Sequence, residues 1–146
     1  MKVLLQRVSQ ASVQVDGAEV SSISKGFLLL VGIEKNDTEE AADYLAKKVA
    51  HLRIFEDENN KMNLSILDVG GQILAVSQFT LAGDTSRGNR PGFETAAKPQ
   101  EAKPLYEYFV RALKIYNIDV QCGIFQADMQ VSLINDGPVT FMLERK

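Results

Sequence analysis

Apolar residues recur at two different periods along the chain. Val3 and Leu5, then Val13 and Val15, stand two positions apart, the spacing of strands with one buried face. Asp16-Gly17 separates Val13-Gln14-Val15 from Ala18-Glu19-Val20 and predicts a tight hairpin. The run from Gly26 to Ile33 is apolar throughout, which fits a central strand covered on both faces. Ala41, Leu45, Val49 and Leu52 then recur at helical spacing. Asp37, with Glu40 three residues later, resembles a capping box and is expected to start that helix. Arg53-Ile54-Phe55 reads as a short strand and 56–61 as a polar turn. Gly70-Gly71 precedes a strand over 72–80 that ends in polar residues. Residues 83–98 read as a long irregular loop, and loops beyond about 12–15 residues in a compact domain are often functional. A second helix carries Leu105, Tyr108, Phe109, Ala112, Leu113 and Tyr116 on its apolar face. Pro99 and Pro104 both suit its first turn. Strands over 118–125, 129–135 and 139–144 close the chain, the last two joined through Asn135-Asp136-Gly137-Pro138.

Strands outnumber helices and come in hairpin lengths. The pattern predicts one α+β domain over 1–146, a mainly antiparallel sheet or partly closed β-barrel with two helices packed on it.

Composition narrows the function. The net charge is −3, from 16 Lys+Arg against 19 Asp+Glu. That excludes a broad basic surface that coats nucleic acid, though not a small contact with a nucleic-acid end. The single cysteine, Cys122, precludes an internal disulfide and fits a reducing cytosol. No stretch near Met1 reads as a signal peptide, and no apolar run reaches membrane-spanning length. A cytoplasmic protein is the expectation.

The common catalytic engines are missing. His51 is the only histidine and falls at the end of the first helix, where its charge suits the helix dipole. One cysteine and one histidine argue against zinc, and no phosphate-cradling glycine loop is present. Cys122 reads as a small strand hydrophobe. Two segments remain. Ser77-Gln78-Phe79-Thr80 ends a strand, where hydroxyls and freed backbone N–H groups can face a developing oxyanion. It can equally be a polar strand end with Phe79 in the core. Gly137-Pro138 pairs a residue that lets a neighbour come close with one that fixes φ and donates nothing. It reads as an ordinary turn or as a wall of bare carbonyls facing a ligand. Arg87 and Arg90, in the long loop, are either solvated charge or a contact for phosphate.

Together these segments resemble the D-aminoacyl-tRNA deacylase (D-tyrosyl-tRNA deacylase) family. Ser77-Gln78-Phe79-Thr80 matches its S-Q-F-T motif, and Asn135-Asp136-Gly137-Pro138-Val139-Thr140 its N-x-G-P-[VF]-T motif. The opening from Met1 to Val13, the Gly26–Gly32 strand and Gly88-Asn89-Arg90-Pro91 agree as well, so the resemblance runs the length of the chain.

The resemblance implies the family's fold and a homodimer that hydrolyses the ester between a D-amino acid and the 3′-terminal adenosine of tRNA. It implies no cofactor and no metal. Glycyl-tRNA, including glycine mischarged on tRNA-Ala, is an expected substrate because glycine has no side chain to reject. Ser77, Gln78, Phe79 and Thr80 would form the catalytic segment. Gly137 and Pro138, joined by a cis peptide, would enter the other subunit's site and exclude L-aminoacyl groups. Arg7 would hold that segment, and Phe125 and Met129 would line the adenosine pocket. Two mechanisms stay open: Thr80 as nucleophile, or backbone N–H groups near Phe79 and Thr80 acting with the tRNA's 2′-hydroxyl. The rival readings are a non-catalytic nucleic-acid-binding dimer, an ordinary esterase or amidase using Ser77 or Thr80, and a purely structural dimer.

Overall fold

The computed structural model describes residues 1–146. Its spine is β1, Lys2–Val15. The N-terminal half of β1 pairs antiparallel with β3, Gly26–Gly32, and its C-terminal half with β2, Ala18–Ile23. Asp16 and Gly17, both at positive φ, make the expected hairpin between β1 and β2. The other edge of β1 carries β8, Gln130–Glu144, antiparallel from Lys2↔Glu144 to Gln14↔Gln130 with register shifts on either side of Val8. Beyond β3 come β6, Gln72–Ser77, and β7, Asp119–Cys122, each added in parallel. The sheet is therefore mixed and nearly closed into a barrel. The α+β fold class follows the sequence reading. The two parallel pairings do not, because a short apolar run carries no sign of its neighbour's direction.

Both faces of the central strands are covered. Phe27, Leu29, Val31, Ile73 and Ala75 face the larger core cluster, with α1, Glu39–His51, and α3, Pro99–Lys114. Leu28, Leu74 and Val76 alternate onto the opposite face and pack with Val8, Ala11, Val13 and Ile23. This is why Gly26–Ile33 is apolar at nearly every position. On α1, Ala42, Leu45, Ala46 and Val49 are buried against that larger cluster, as the helical spacing implies.

Several boundaries differ from the sequence reading. The cap of α1 is Thr38, whose Oγ1 accepts from the Ala41 N–H at 3.2 Å. Asp37 is engaged elsewhere: its carboxylate accepts from the Glu34 N–H at 2.7 Å and pairs with the Met1 amine. The short strand is β4, Phe55–Glu56, and it pairs with β5, Met62–Leu64. A third helix, α2, Ile66–Val69, is a single turn, too short to register as a period. Its signal is local: Ser65 and Asp68 form a reciprocal capping box, and Gly70 closes it in the left-handed region. Pro99 opens α3, while Pro104 lies in its second turn. Pro104 and Gln100, four residues before it, are both exposed, so water can satisfy the carbonyl that the proline leaves free.

The most consequential difference is at the C-terminus. The strands expected over 129–135 and 139–144 are one strand, β8, and Gly137-Pro138 lies within it rather than in a hairpin turn. Gln6 pairs with Thr140 and Val8 with Asn135. Arg7 alone thus faces the four residues 136–139. The surplus bulges out of the ladder, and Pro138 has no N–H that the ladder would need. The Gly137-Pro138 peptide is cis.

Candidate active site

The parallel strands β3, β6 and β7 end on one side of the sheet, and the carboxyl ends of parallel strands are where open sheets bind ligands. A cleft of about 530 Å³ opens there. Its lining includes Ser77, Gln78, Phe79 and Thr80 from the end of β6, and Phe125 and Met129 from the segment between β7 and β8. Six expected site residues, from two segments far apart in sequence, thus share one cleft.

The β6 end is shaped for exposed backbone donors. The chain leaves β6 and winds into a short 3-10 turn, Phe79–Ala82. The first N–H groups of such a turn have no carbonyl upstream within it to bond, and Gln78 supplies no side-chain cap. The Gln78 amide instead donates to Thr80 Oγ1 at 3.0 Å. Phe79 is 56% exposed, not a core residue as one reading of the sequence had it. Its ring packs on Phe93, 5.1 Å between centroids.

No side chain lining the cleft is acidic, basic or histidine. Thr80 therefore has no base to take its proton there. His51 does not line it either; its Nδ1 lies 2.8 Å from the Lys47 carbonyl, and its ring meets Tyr116 edge-on.

The Phe125 wall is anchored from behind. Its ring packs on Tyr106, 6.0 Å between centroids. The buried Tyr106 hydroxyl donates to the Ala75 carbonyl at 2.9 Å. Burial, and then the neighbouring Cys122, push the Tyr106 hydroxyl's pKa far up, and burial also raises that of the Cys122 thiol. Both stay neutral near pH 7 and serve packing. Met129 folds over Gly123, where a Cβ would stand 2.6 Å from its sulfur.

Gly137, Pro138 and Arg7 do not line this cleft. Gly137 and Pro138 are exposed. Arg7 is 5% exposed and lies beneath the bulge. Its Nη1 donates to the Ile54 carbonyl at 2.7 Å, and its Nε to the Asp136 carbonyl at 3.2 Å, with the Asp136 carboxylate 3.5 Å away. The Asn135 amide ties the bulge across, donating to the carbonyls of Arg7 and Val139 at 2.9 and 3.0 Å. Sequence reasoning passed over Ile33, Ala97, Pro99, Ala102, Gln126 and Ala127, which complete the cleft. They are small, apolar or amide residues in separate segments, and no spacing links them.

No helix is long and apolar enough to cross a membrane. Residues 4–144 match the family model described as D-Tyr-tRNA(Tyr) deacylase. A D-aminoacyl-tRNA deacylase of Geotalea uraniireducens is 60% identical over 99% of this chain and 93% of its own length. That of Caldicellulosiruptor bescii is 55% identical over 100% and 98%. Among solved structures, one described as c-Myc DNA Unwinding Element Binding Protein superposes with a TM-score of 0.94 at 39% identity, covering 100% of this chain and 99% of its own. A probable eukaryotic D-amino acid tRNA deacylase has the same fold, with a TM-score of 0.83 at 19% identity over 97% of each chain. Matched by the family model almost end to end and by relatives of similar length at more than half identity, the chain belongs to the D-aminoacyl-tRNA deacylase family.

Proposed function

We propose that the chain hydrolyses the ester of D-aminoacyl-tRNA, releasing the D-amino acid and free tRNA, and that the cleft beside Ser77–Thr80 receives the aminoacylated terminal adenosine. The observation that carries this reading is a cleft with the family motif on one wall, apolar Phe125 and Met129 in its lining, and no titratable side chain in it. Such a site suits a flat, uncharged base and a reaction that needs charge stabilisation rather than a protein acid or base.

The backbone N–H groups of Phe79 and Thr80 stabilise the oxyanion that forms as water attacks the ester carbonyl. The 2′-hydroxyl of the same adenosine assists the attack, since no side chain in the cleft can take a proton. The Gln78 amide occupies Thr80 Oγ1, a role for Thr80 in holding the turn rather than in attack.

Chiral selection comes from a second copy. The bulge carrying Gly137-Pro138 is exposed and lies outside its own chain's cleft, so a homodimer can insert it into the partner's cleft. A main-chain wall there collides with an L side chain and leaves a D side chain free. It discriminates by repulsion, so many D-amino acids pass. Glycine carries nothing to reject, and glycyl-tRNA, including glycine on tRNA-Ala, is a substrate.

The test is release of labelled tyrosine from D- and L-tyrosyl-tRNA, with a substrate whose terminal ribose lacks the 2′-hydroxyl alongside. Fast release from the D ester, little from the L ester and slow release from the deoxy substrate are expected. Binding without release would refute the enzyme reading in favour of a nucleic-acid-binding dimer. Unchanged turnover of the deoxy ester would refute assistance by the RNA.

A further inference from the structure

We infer that Arg87 and Arg90 form a second contact with the substrate, gripping phosphates of the single-stranded 3′ end just behind the terminal adenosine. The inference rests on the proposed function and adds a binding site outside the cleft.

The loop that carries both arginines leaves from one cleft wall and returns to the other. It departs after Phe79 and Thr80 and returns through Ala97 and Pro99, all four of which line the cleft. Both stems are fastened. Asp84 and Gly92 exchange backbone hydrogen bonds at 2.8 and 2.9 Å. The Thr95 hydroxyl donates to the Ala82 carbonyl at 3.1 Å. The Lys35 N–H donates to the Thr95 carbonyl at 2.8 Å, and the Ala97 N–H to the Ile33 carbonyl at 3.1 Å. Phe93 packs at a tilt on Phe79 of the cleft itself, the two ring planes 56° apart. The loop base is thus part of the cleft wall, and the tip has a set position relative to it.

The tip is chemically one-sided. The eight residues from Thr85 to Gly92 contain two arginines and no acid, in a chain whose net charge is −3. The nearby acids, Asp84 and Glu94, flank the tip at the loop base. Asp84 accepts from the Ser86 N–H at 2.8 Å, and the Glu94 carboxylate lies over Gly92. Neither arginine joins any of the ion pairs in the molecule. Both residues are exposed. Arg87 is three residues beyond Asp84 and Arg90 two before Gly92, so their Cα atoms lie within about 11 and 7 Å of that pair even if extended, at ~3.3–3.6 Å per residue. An uncharged cleft gives the substrate no electrostatic attraction. Two guanidiniums outside any ion pair, on a loop rooted in the cleft wall, supply it, and guanidinium suits phosphate.

Three D-tyrosyl esters separate the possibilities: of adenosine alone, of the CCA trinucleotide, and of whole tRNA. The Arg87→Gln/Arg90→Gln double variant is compared with the wild type and with Arg87→Lys/Arg90→Lys. Two single-strand phosphate contacts contribute about 1.4 to the slope of log affinity against log salt. The wild-type advantage in kcat/KM on CCA and tRNA esters should therefore shrink about sevenfold between 50 and 200 mM salt. On the adenosine ester the variants should match the wild type, and the lysine pair should keep most of the advantage on the other two. Equal loss on all three substrates, loss on whole tRNA alone, or no loss would each overturn the inference while leaving the deacylase reading intact. A wild type inactive on all three would instead refute that reading.

Discussion

Gly137→Ala tests the proposed wall most directly. Gly137 has φ of 126°, a region that L-residues enter at a cost of about 1–3 kcal/mol. A Cβ there would stand 2.7 Å from Val139 Cγ2, 3.0 Å from Arg7 Nη2 and 3.2 Å from the Val139 nitrogen. None of these yields easily. Val139 is 7% exposed, and Arg7 is held by the carbonyls of Ile54 and Asp136. Overpacking adds about 1–3 kcal/mol. Because the bulge can relax outward, the lower half of the combined range applies, about 3 kcal/mol. With a urea slope of ~2 kcal/mol/M, the unfolding midpoint should fall by about 1.5 M. The carbonyls of the bulge should move with the backbone. The ratio of kcat/KM for D- over L-tyrosyl-tRNA should then fall at least about tenfold, equivalent to ~1.4 kcal/mol of discrimination. Both are measured at a temperature where circular dichroism reports a folded variant. An unchanged midpoint would refute the packing argument. A lowered midpoint with an unchanged ratio would refute the wall.

Three further outcomes follow from the same geometry. On the proposed mechanism, in which backbone oxyanion donors rather than the hydroxyl carry the step, Thr80→Ala should keep kcat within about tenfold of the wild type; a loss of ~10³ or more with unchanged substrate binding would restore Thr80 as nucleophile. Tyr106→Phe should lower stability by only about 0.5–1.5 kcal/mol, because the Ala75 carbonyl keeps the Gly123 N–H at 3.0 Å; a loss above ~3 kcal/mol in urea unfolding would contradict that accounting. Backbone donors at Lys61 and Asn59 lower the Asp57 pKa, and the Ser65 N–H and hydroxyl lower that of Asp68, from an ordinary 3.8. Lowered folded-state pKa values stabilise above the unfolded value and lose that contribution as pH falls through the folded ones. The midpoint gap between the wild type and Asp57→Asn/Asp68→Asn should therefore narrow as pH falls from 6 to 3; a constant gap would contradict it.

Much was legible in the residues themselves. Alternation, the Asp16-Gly17 turn and the helical repeat of Ala41, Leu45 and Val49 encode local geometry through short-range sterics and the side-chain period, so strands, hairpin and helices could be read directly. The two motifs at 77–80 and 135–140 identified the family without any coordinates. Chain direction between non-adjacent strands could not be read, because Gly26–Ile33 and Gln72–Ser77 carry no mark of whether they pair parallel or antiparallel. Only the folded sheet decided that three carboxyl ends meet and open a cleft. Nor could the sequence tell that the last two strand runs are one. That depended on β1 being long enough to pair with both, leaving Arg7 opposite four residues and forcing Gly137-Pro138 outward. The chemistry-bearing residues were visible one by one. Which of them share a cleft, and which stand outside it, is a property of long-range packing.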